Sequence, residues 1–175
     1  MRTGLRQRKM VNPMISERLQ KSQEIVRKEY YPHFEWIEND SCPWQPPAQS
    51  LSEGTLAYIT SCGLYRNDSH LPFSAYNNFG DPTFREIHVD TPADLLRIGH
   101  THSNNENAEK DMRILFPVEH LLKLEAEQIV GKIYSWVYSY MGFMPEPTQF
   151  LAETAPVFTR RLKNDGVTAV LLTPC

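Results

Sequence analysis

The chain has no apolar stretch near the ~18 residues that a membrane-spanning helix needs. No apolar h-region follows its basic start, so no signal peptide is expected. Together these two absences imply a cytoplasmic protein. Cysteine is scarce: Cys42, Cys62 and Cys175 are an odd number without a CxxC pair. That argues against a disulfide framework and against a structural zinc site. A net charge of −3 supplies no general attraction to nucleic acid. There is no internal repeat and no low-complexity tract. With 41% hydrophobic and 22% charged residues the composition is that of an ordinary globular protein. A length of 175 residues is enough for one domain with a sizeable core.

Residues 1–13 form a basic, unstructured start; Arg2, Arg6, Arg8 and Lys9 lie within it. Charge of this kind suits either a solvated arm or contact with an acidic surface, and the solvated arm is the simpler reading. Residues 14–50 read as a helix over 14–30, with Ile15, Leu19, Ile25 and Val26 as its stripe, and then a segment rich in Pro and Trp that covers the domain. Residues 51–175 form the main body. Residues 55–61 (TLAYITS) predict a buried strand, and 64–88 a loop-rich stretch with turns at Asn67-Asp68 and Gly80-Asp81-Pro82. A helix is expected over 117–129, with Pro117 at its start. A strand follows over 132–140 (KIYSWVYSY), and then a helix over 148–164 that restarts near Pro156. Tyr134, Trp136, Tyr138 and Tyr140 recur at period two, as one packed face of a strand does; no basic residue interleaves with them to make a base-stacking platform. This alternation predicts an α/β fold: a mostly parallel sheet with flanking helices, incomplete at its carboxyl end.

The chain closes on Gly166 to Cys175, where GVTAVLLT predicts a strand covered on both faces. Such strands feed a loop and a crossover helix, and in open α/β sheets chemistry sits at that loop. Either the strand closes the fold or the sequence is cut at its own active site; the second is the expectation. Cys175 is therefore a candidate catalytic thiol, since a following helix N-terminus would activate it. The plainer reading is a small buried residue, and this is also the reading for Cys62.

The densest polar group is His100-Thr101-His102, followed by Asn104, Asn105, Glu106, Asn107, Glu109 and Asp111. H-x-H spacing puts both imidazoles on one side of an extended segment. There His100, His102 and Asp111 would bind substrate, or His100 and His102 a metal ion with Asp111. Histidine also serves as an acid or base near neutrality. The alternative is a polar loop whose histidines bond locally. Glu153-Thr154-Ala155-Pro156 reads as a helix-start element with capping chemistry.

Several stretches, taken in order, resemble the selenoprotein B family of glycine, sarcosine, betaine and D-proline reductases. They are Asn78-Phe79-Gly80-Asp81-Pro82-Thr83-Phe84-Arg85-Glu86-Ile87, Asp90-Thr91-Pro92, Leu96-Arg97-Ile98-Gly99-His100-Thr101-His102, Asp111, Phe116-Pro117, Met141-Gly142-Phe143, and Glu153-Thr154-Ala155-Pro156 through Arg160-Arg161-Leu162-Lys163 to Asp165–Leu172. The resemblance implies that residues 51–175 are the N-terminal part of a reductase domain in a cytoplasmic selenoenzyme subunit. It implies a selenocysteine just beyond Cys175, encoded by a UGA read as a stop, whose selenolate attacks the substrate. It further implies a partner subunit bearing a pyruvoyl group that activates the amine, a small selenoprotein or thiol reductant, and reductive cleavage of a C–N bond. This chain departs from the family where Ser103-Asn104-Asn105-Glu106 follows the histidines. Two other classes compete: a non-catalytic accessory or scaffold α/β domain, and a metal-dependent hydrolase built on His100, His102 and Asp111.

Overall fold

A computed structural model describes residues 13–29, 31–36, 46–101 and 104–174. It divides into two units, 1–43 and 44–175. In the first, α1 (Pro13–Glu29) has Arg27 and Lys28 in its last turn, where positive charge complements the exposed carbonyls. Residues 31–36 fold back on this helix. Arg27 Nε donates to the Phe34 carbonyl at 2.6 Å, and Trp36 Nε1 to the Leu19 carbonyl at 3.0 Å. The proline-rich residues 37–45 of the expected cover segment lie outside the described residues.

The second unit is built on a mixed, mostly parallel sheet flanked by helices. In chain order its elements are β1 (Thr55–Thr60), β2 (Leu64–Arg66), β3 (Phe84–His88), β4 (Leu96–Ile98), α2 (Glu106–Lys110), α3 (Val118–Ala126), β5 (Lys132–Ile133), β6 (Trp136–Tyr140), α4 (Ala155–Asn164) and β7 (Ala169–Thr173). β1 is the centre. Five of its six residues are buried, as an apolar run covered on both faces should be. β5, β6 and β7 all pair parallel to it. The register slips by two residues between Leu56↔Ile133 and Ile59↔Tyr138. β5 and β6 are therefore one strand along one edge of β1, bulged at Tyr134-Ser135. β7 takes the other edge, and β3 pairs antiparallel outside β6. β2 and β4 form a separate antiparallel pair.

Each sheet face carries its own core. Leu56, Tyr58, Ile133 and Val137 pack with Leu115, Phe116, Val118 and Leu121. On the other face, Ala57, Ile59, Tyr134 and Tyr138 pack with Phe158 and Leu162 of α4, and Trp136 and Tyr140 join them. The period-two aromatics thus share one face, as the sequence predicts. At the edge of this face Arg161 donates to Glu86 of β3 at 2.6 Å, and Tyr134 donates to Asp165. Burial, and then that contact with Asp165, pushes the Tyr134 phenol up.

Three expectations need correction. The stretch from 64 to 88 is loop-rich as expected over 67–83, but its two ends are the unforeseen strands β2 and β3, and the β3 sequence FREIH carries charge because it forms the sheet's outer edge. α4 does not start at a capped ETAP: the helix runs through a π turn, Phe150–Thr154, directly into α4, with Pro156 in the first turn and no side-chain cap. The change of helix type falls where proline withholds its N–H. Finally, β7 is not covered on both faces. Val170, Leu171 and Leu172 are 43%, 38% and 62% exposed, because β7 is an edge strand with β1 on one side and no strand among the described residues on the other.

Candidate functional site at the carboxyl ends of the parallel strands

β1, β6 and β7 point their carboxyl ends to one rim, and three backbone links tie their exits together. Gly63 N–H donates to the Tyr140 carbonyl at 2.9 Å, Gly142 N–H to Ser61 at 2.8 Å, and Ser61 N–H to Thr173 at 3.1 Å. A bridge between Cys62 and Met141 completes the crossing. Gly63 turns at φ +62, and its carbonyl accepts from Gly99 N–H at 2.8 Å. This brings the Gly99–Thr101 segment onto the rim. Tyr58, 2% exposed, sits beneath it; its hydroxyl donates to the Leu115 carbonyl at 3.0 Å and lies 2.7 Å from Thr173 Oγ1. Cys62 is 1% exposed and packs in the core, matching its reading as a buried residue.

His100 is 7% exposed, and its Nε2 accepts from Phe143 N–H at 3.2 Å. In the neutral ring the proton then belongs on Nδ1. Its carbonyl accepts from Asn105 Nδ2 at 2.6 Å, and Thr101 Oγ1 donates to the Ala75 carbonyl at 2.9 Å. His100 therefore joins the Gly99–Thr101 segment and Asn105 to the exit of β6. His102 lies outside the described residues. Asp111 is turned to a neighbour on its own turn: it accepts from Arg113 N–H at 3.1 Å and from Arg113 Nε and Nη2 at 2.8 and 2.9 Å. That guanidinium holds its carboxyl below the usual carboxylate range. Among the described residues no group of three His, Cys, Asp or Glu side chains is placed to hold a metal ion. Cys175 also lies outside the described residues, two positions after Thr173 on the rim.

The stretch 78–87 builds the loop beside this rim. Asp81, 6% exposed, accepts from Ser74 N–H at 2.8 Å, from Thr83 N–H at 2.9 Å and from the Thr83 hydroxyl. Burial raises its pKa, but those hydrogen bonds outweigh it and leave the carboxyl below its ordinary value. Arg85 donates to the Leu71 carbonyl at 2.8 Å and lies over the Phe73 ring at 4.2 Å. Gly80, at φ +82, lets the loop press against the backbone of Phe143 and Met144. Thr154 in the π turn donates to the Pro82 carbonyl at 2.6 Å. An open cavity of about 310 Å³ lies between this loop and the start of the π turn, lined by Asn77, Phe79, Glu146 and Gln149. The roles of Asp81, Arg85 and Thr154 were not readable as pairs. Asp81-Pro82-Thr83 does carry the local signature of an aspartate accepting from the N–H two residues on.

Residues 1–175 match the family described as glycine/sarcosine/betaine reductase selenoprotein B. D-proline reductase subunit gamma of Acetoanaerobium sticklandii is 29% identical over 130 residues, covering 74% of this chain and 52% of that protein. Glycine reductase complex component B subunit gamma of Carboxydothermus hydrogenoformans is 28% identical over 136 residues, covering 77% and 31%. The protein of the same name from Symbiobacterium thermophilum is 26% identical, with the same coverage. The chain thus spans about half the length of the first relative and about a third of the other two. No solved structure matches. Among the described residues no helix is long and apolar enough to cross a membrane.

Proposed function

As the chain belongs to the glycine/sarcosine/betaine reductase selenoprotein B family, we propose that it forms the amino-terminal part of a reductase subunit that cleaves the C–N bond of glycine, sarcosine, betaine or D-proline. The relatives it matches are named as subunits of reductases or of a reductase complex, which supports a role within an assembly. The observation that carries the reading is the rim itself. The exits of β1, β6 and β7 meet there, with Gly142 and Ser61 joined at 2.8 Å and Thr173 joined to Ser61. Thr173 ends β7 at this rim, and open α/β sheets carry out chemistry at the carboxyl ends of their strands, which supports a reacting group shortly after it. In this reading that group is a selenocysteine following Cys175, and it supplies the nucleophile. Reductive cleavage of the C–N bond consumes two electrons, which a dithiol would provide, and a pyruvoyl group on a partner subunit would engage the nitrogen of those substrates that carry an amine N–H. The described residues hold the frame: His100 fixes the exit of β6, and Tyr58 fixes that of β7.

A second reading is a non-catalytic accessory domain. What favours it is that His100 and Asp111 are engaged in structural hydrogen bonds. The two readings separate in one assay. The gene is translated past an in-frame UGA, and the complete subunit is assembled with its partner subunits. Each of the four substrates is then supplied with dithiothreitol. The reductase reading expects turnover of at least one substrate by the assembly and none by residues 1–175 alone. An assembly that turns over none of the four, or a gene without the in-frame UGA, rejects it.

A further inference from the structure

From the free edge of β7 and the groove beside it, we infer that β7 is an internal strand of the complete subunit. A further parallel strand pairs with its open edge, and the helix leading to that strand lies beside α4. This rests on the reading that the subunit continues beyond these residues, but not on the reductase activity.

Three observations carry it. First, among the described residues β7 pairs over Ala169–Thr173 with β1 alone, on one side, so half of its backbone groups face outward. An edge strand left in water is normally short, charged or interrupted by proline. AVLLT has no charge and no proline. Second, its apolar side chains are exposed on both faces. Val170 and Leu172 lie on the α4 face and Leu171 on the face of Tyr58, at 43%, 62% and 38% exposure. Third, the α4 face does not end in a flat surface. A groove of about 450 Å³ runs between α4 and β7, lined by Ile59, Tyr140, Phe158, Leu162, Val170 and Leu172.

The hand of the connection selects the occupant. β6, α4 and β7 form one crossover past β1, with α4 packed on Ala57 and Ile59. Crossovers between parallel strands are right-handed in about 98% of cases. Successive right-handed crossovers in one direction lay their helices on one face. A strand added outside β7 therefore brings its helix onto the face of α4, over Val170 and Leu172 and into the groove. The relatives supply the length: the chain spans 52% of one and 31% of another.

The test splits the subunit. Residues 1–175 and the polypeptide encoded directly downstream are produced together as two chains, so the UGA is never translated. The expected result is a 1:1 complex by light scattering, with amide exchange at Val170–Thr173 slowed at least 100-fold relative to residues 1–175 alone. Leu172→Asp and Val170→Asp change side chains exposed in the isolated chain. They should leave its melting temperature within a few degrees and weaken association at least 100-fold. Failure to associate, association indifferent to both substitutions, self-association of residues 1–175 through β7, or the lack of a downstream reading frame each overturns the inference. A complex that forms but reduces no substrate removes the reductase reading and leaves this one standing.

Discussion

Two glycines separate the cost of a left-handed backbone from the cost of a buried contact. Gly80 and Gly166 have nearly the same φ, +82 and +76. At Gly166 an added methyl group meets nothing within 4 Å. At Gly80 it would fall inside contact of the Phe143 carbonyl oxygen and 3.0 Å from Met144 Cα, and both are backbone atoms that cannot rotate away. Gly166→Ala should therefore show only the conformational term, about 1 kcal/mol. Gly80→Ala should show that term plus overpacking of about 1–3 kcal/mol, giving a total of about 2–4 kcal/mol. For a domain of this size each kcal/mol moves the melting temperature by about 2–4 °C. The assay is thermal and urea unfolding of the two variants beside the parent, followed by circular dichroism. The expected result is a loss of about 2–4 °C for Gly166→Ala and about 5–15 °C for Gly80→Ala. Amide exchange should accelerate at residues 141–144 only in the Gly80 variant. Equal losses for the two variants would mean that the loop does not press on the β6 exit, and the described joint would be wrong.

Three further outcomes follow from the same joints. Tyr58→Phe removes the donor to the Leu115 carbonyl and should cost about 1–2 kcal/mol. Faster exchange should appear at Ser61, whose N–H bonds Thr173, and an unchanged melting curve would contradict the assigned contact. Asp81→Asn puts an amide against donors on Ser74 and Thr83, for a loss of about 1–3 kcal/mol at pH 7. Because the folded pKa of Asp81 is depressed, the parent's advantage is present above the unfolded carboxylate value of about 3.9 and is lost as pH falls through the folded value. The gap between parent and variant should close between pH 4 and the acid limit, and a gap that stays constant would exclude this carboxylate as its source. His100→Phe keeps a ring but removes the acceptor that Phe143 N–H uses, so about 1–3 kcal/mol should be lost. Stoichiometric zinc should leave the parent's melting temperature unchanged, whereas a zinc-dependent rise abolished by His100→Phe would restore the metal reading.

What the residue pattern made legible was local. The run 55–61 announced a buried strand because all but its last position is aliphatic, aromatic or β-branched. The aromatics 134–140 announced one packed face because their spacing is two. Pro156 announced a change in its helix, and the π turn sits directly before it. Less legible were elements whose stability comes from far away. Residues 84–88 look polar and loop-like because β3 borrows its order from β6 on one side only, pairing Phe84 with Tyr140 and His88 with Trp136. The exposure of β7 was misread for a related reason. An apolar strand implies cover, but the sequence cannot say whether that cover is supplied by these residues.

The candidate site shows the same division. His100, His102 and Asp111 drew attention as chemistry-bearing residue types at suggestive spacing. The structure engages His100 with a backbone amide 43 positions away and Asp111 with an arginine two positions away. Gly80, Asp81 and Thr154 stand in no such cluster in the sequence, yet they join loops into the rim, Thr154 across 72 positions. A hydrogen bond that closes so long a loop has no local signature, since its energy is repaid only once both ends are already folded. This explains why the family-like stretches are scattered along the chain. Several of them meet in such joints: Gly80 lies against the Phe143 and Met144 backbone, His100 accepts from Phe143 N–H, and Thr154 donates to the Pro82 carbonyl. On the proposed reductase reading, substitutions at these joints should lower activity by misplacing the segment after Thr173, with loss of stability as the accompanying sign. Substitutions at residues that touch the substrate should lower activity with the melting temperature unchanged, and measuring both quantities for each variant sorts the frame from the reacting groups.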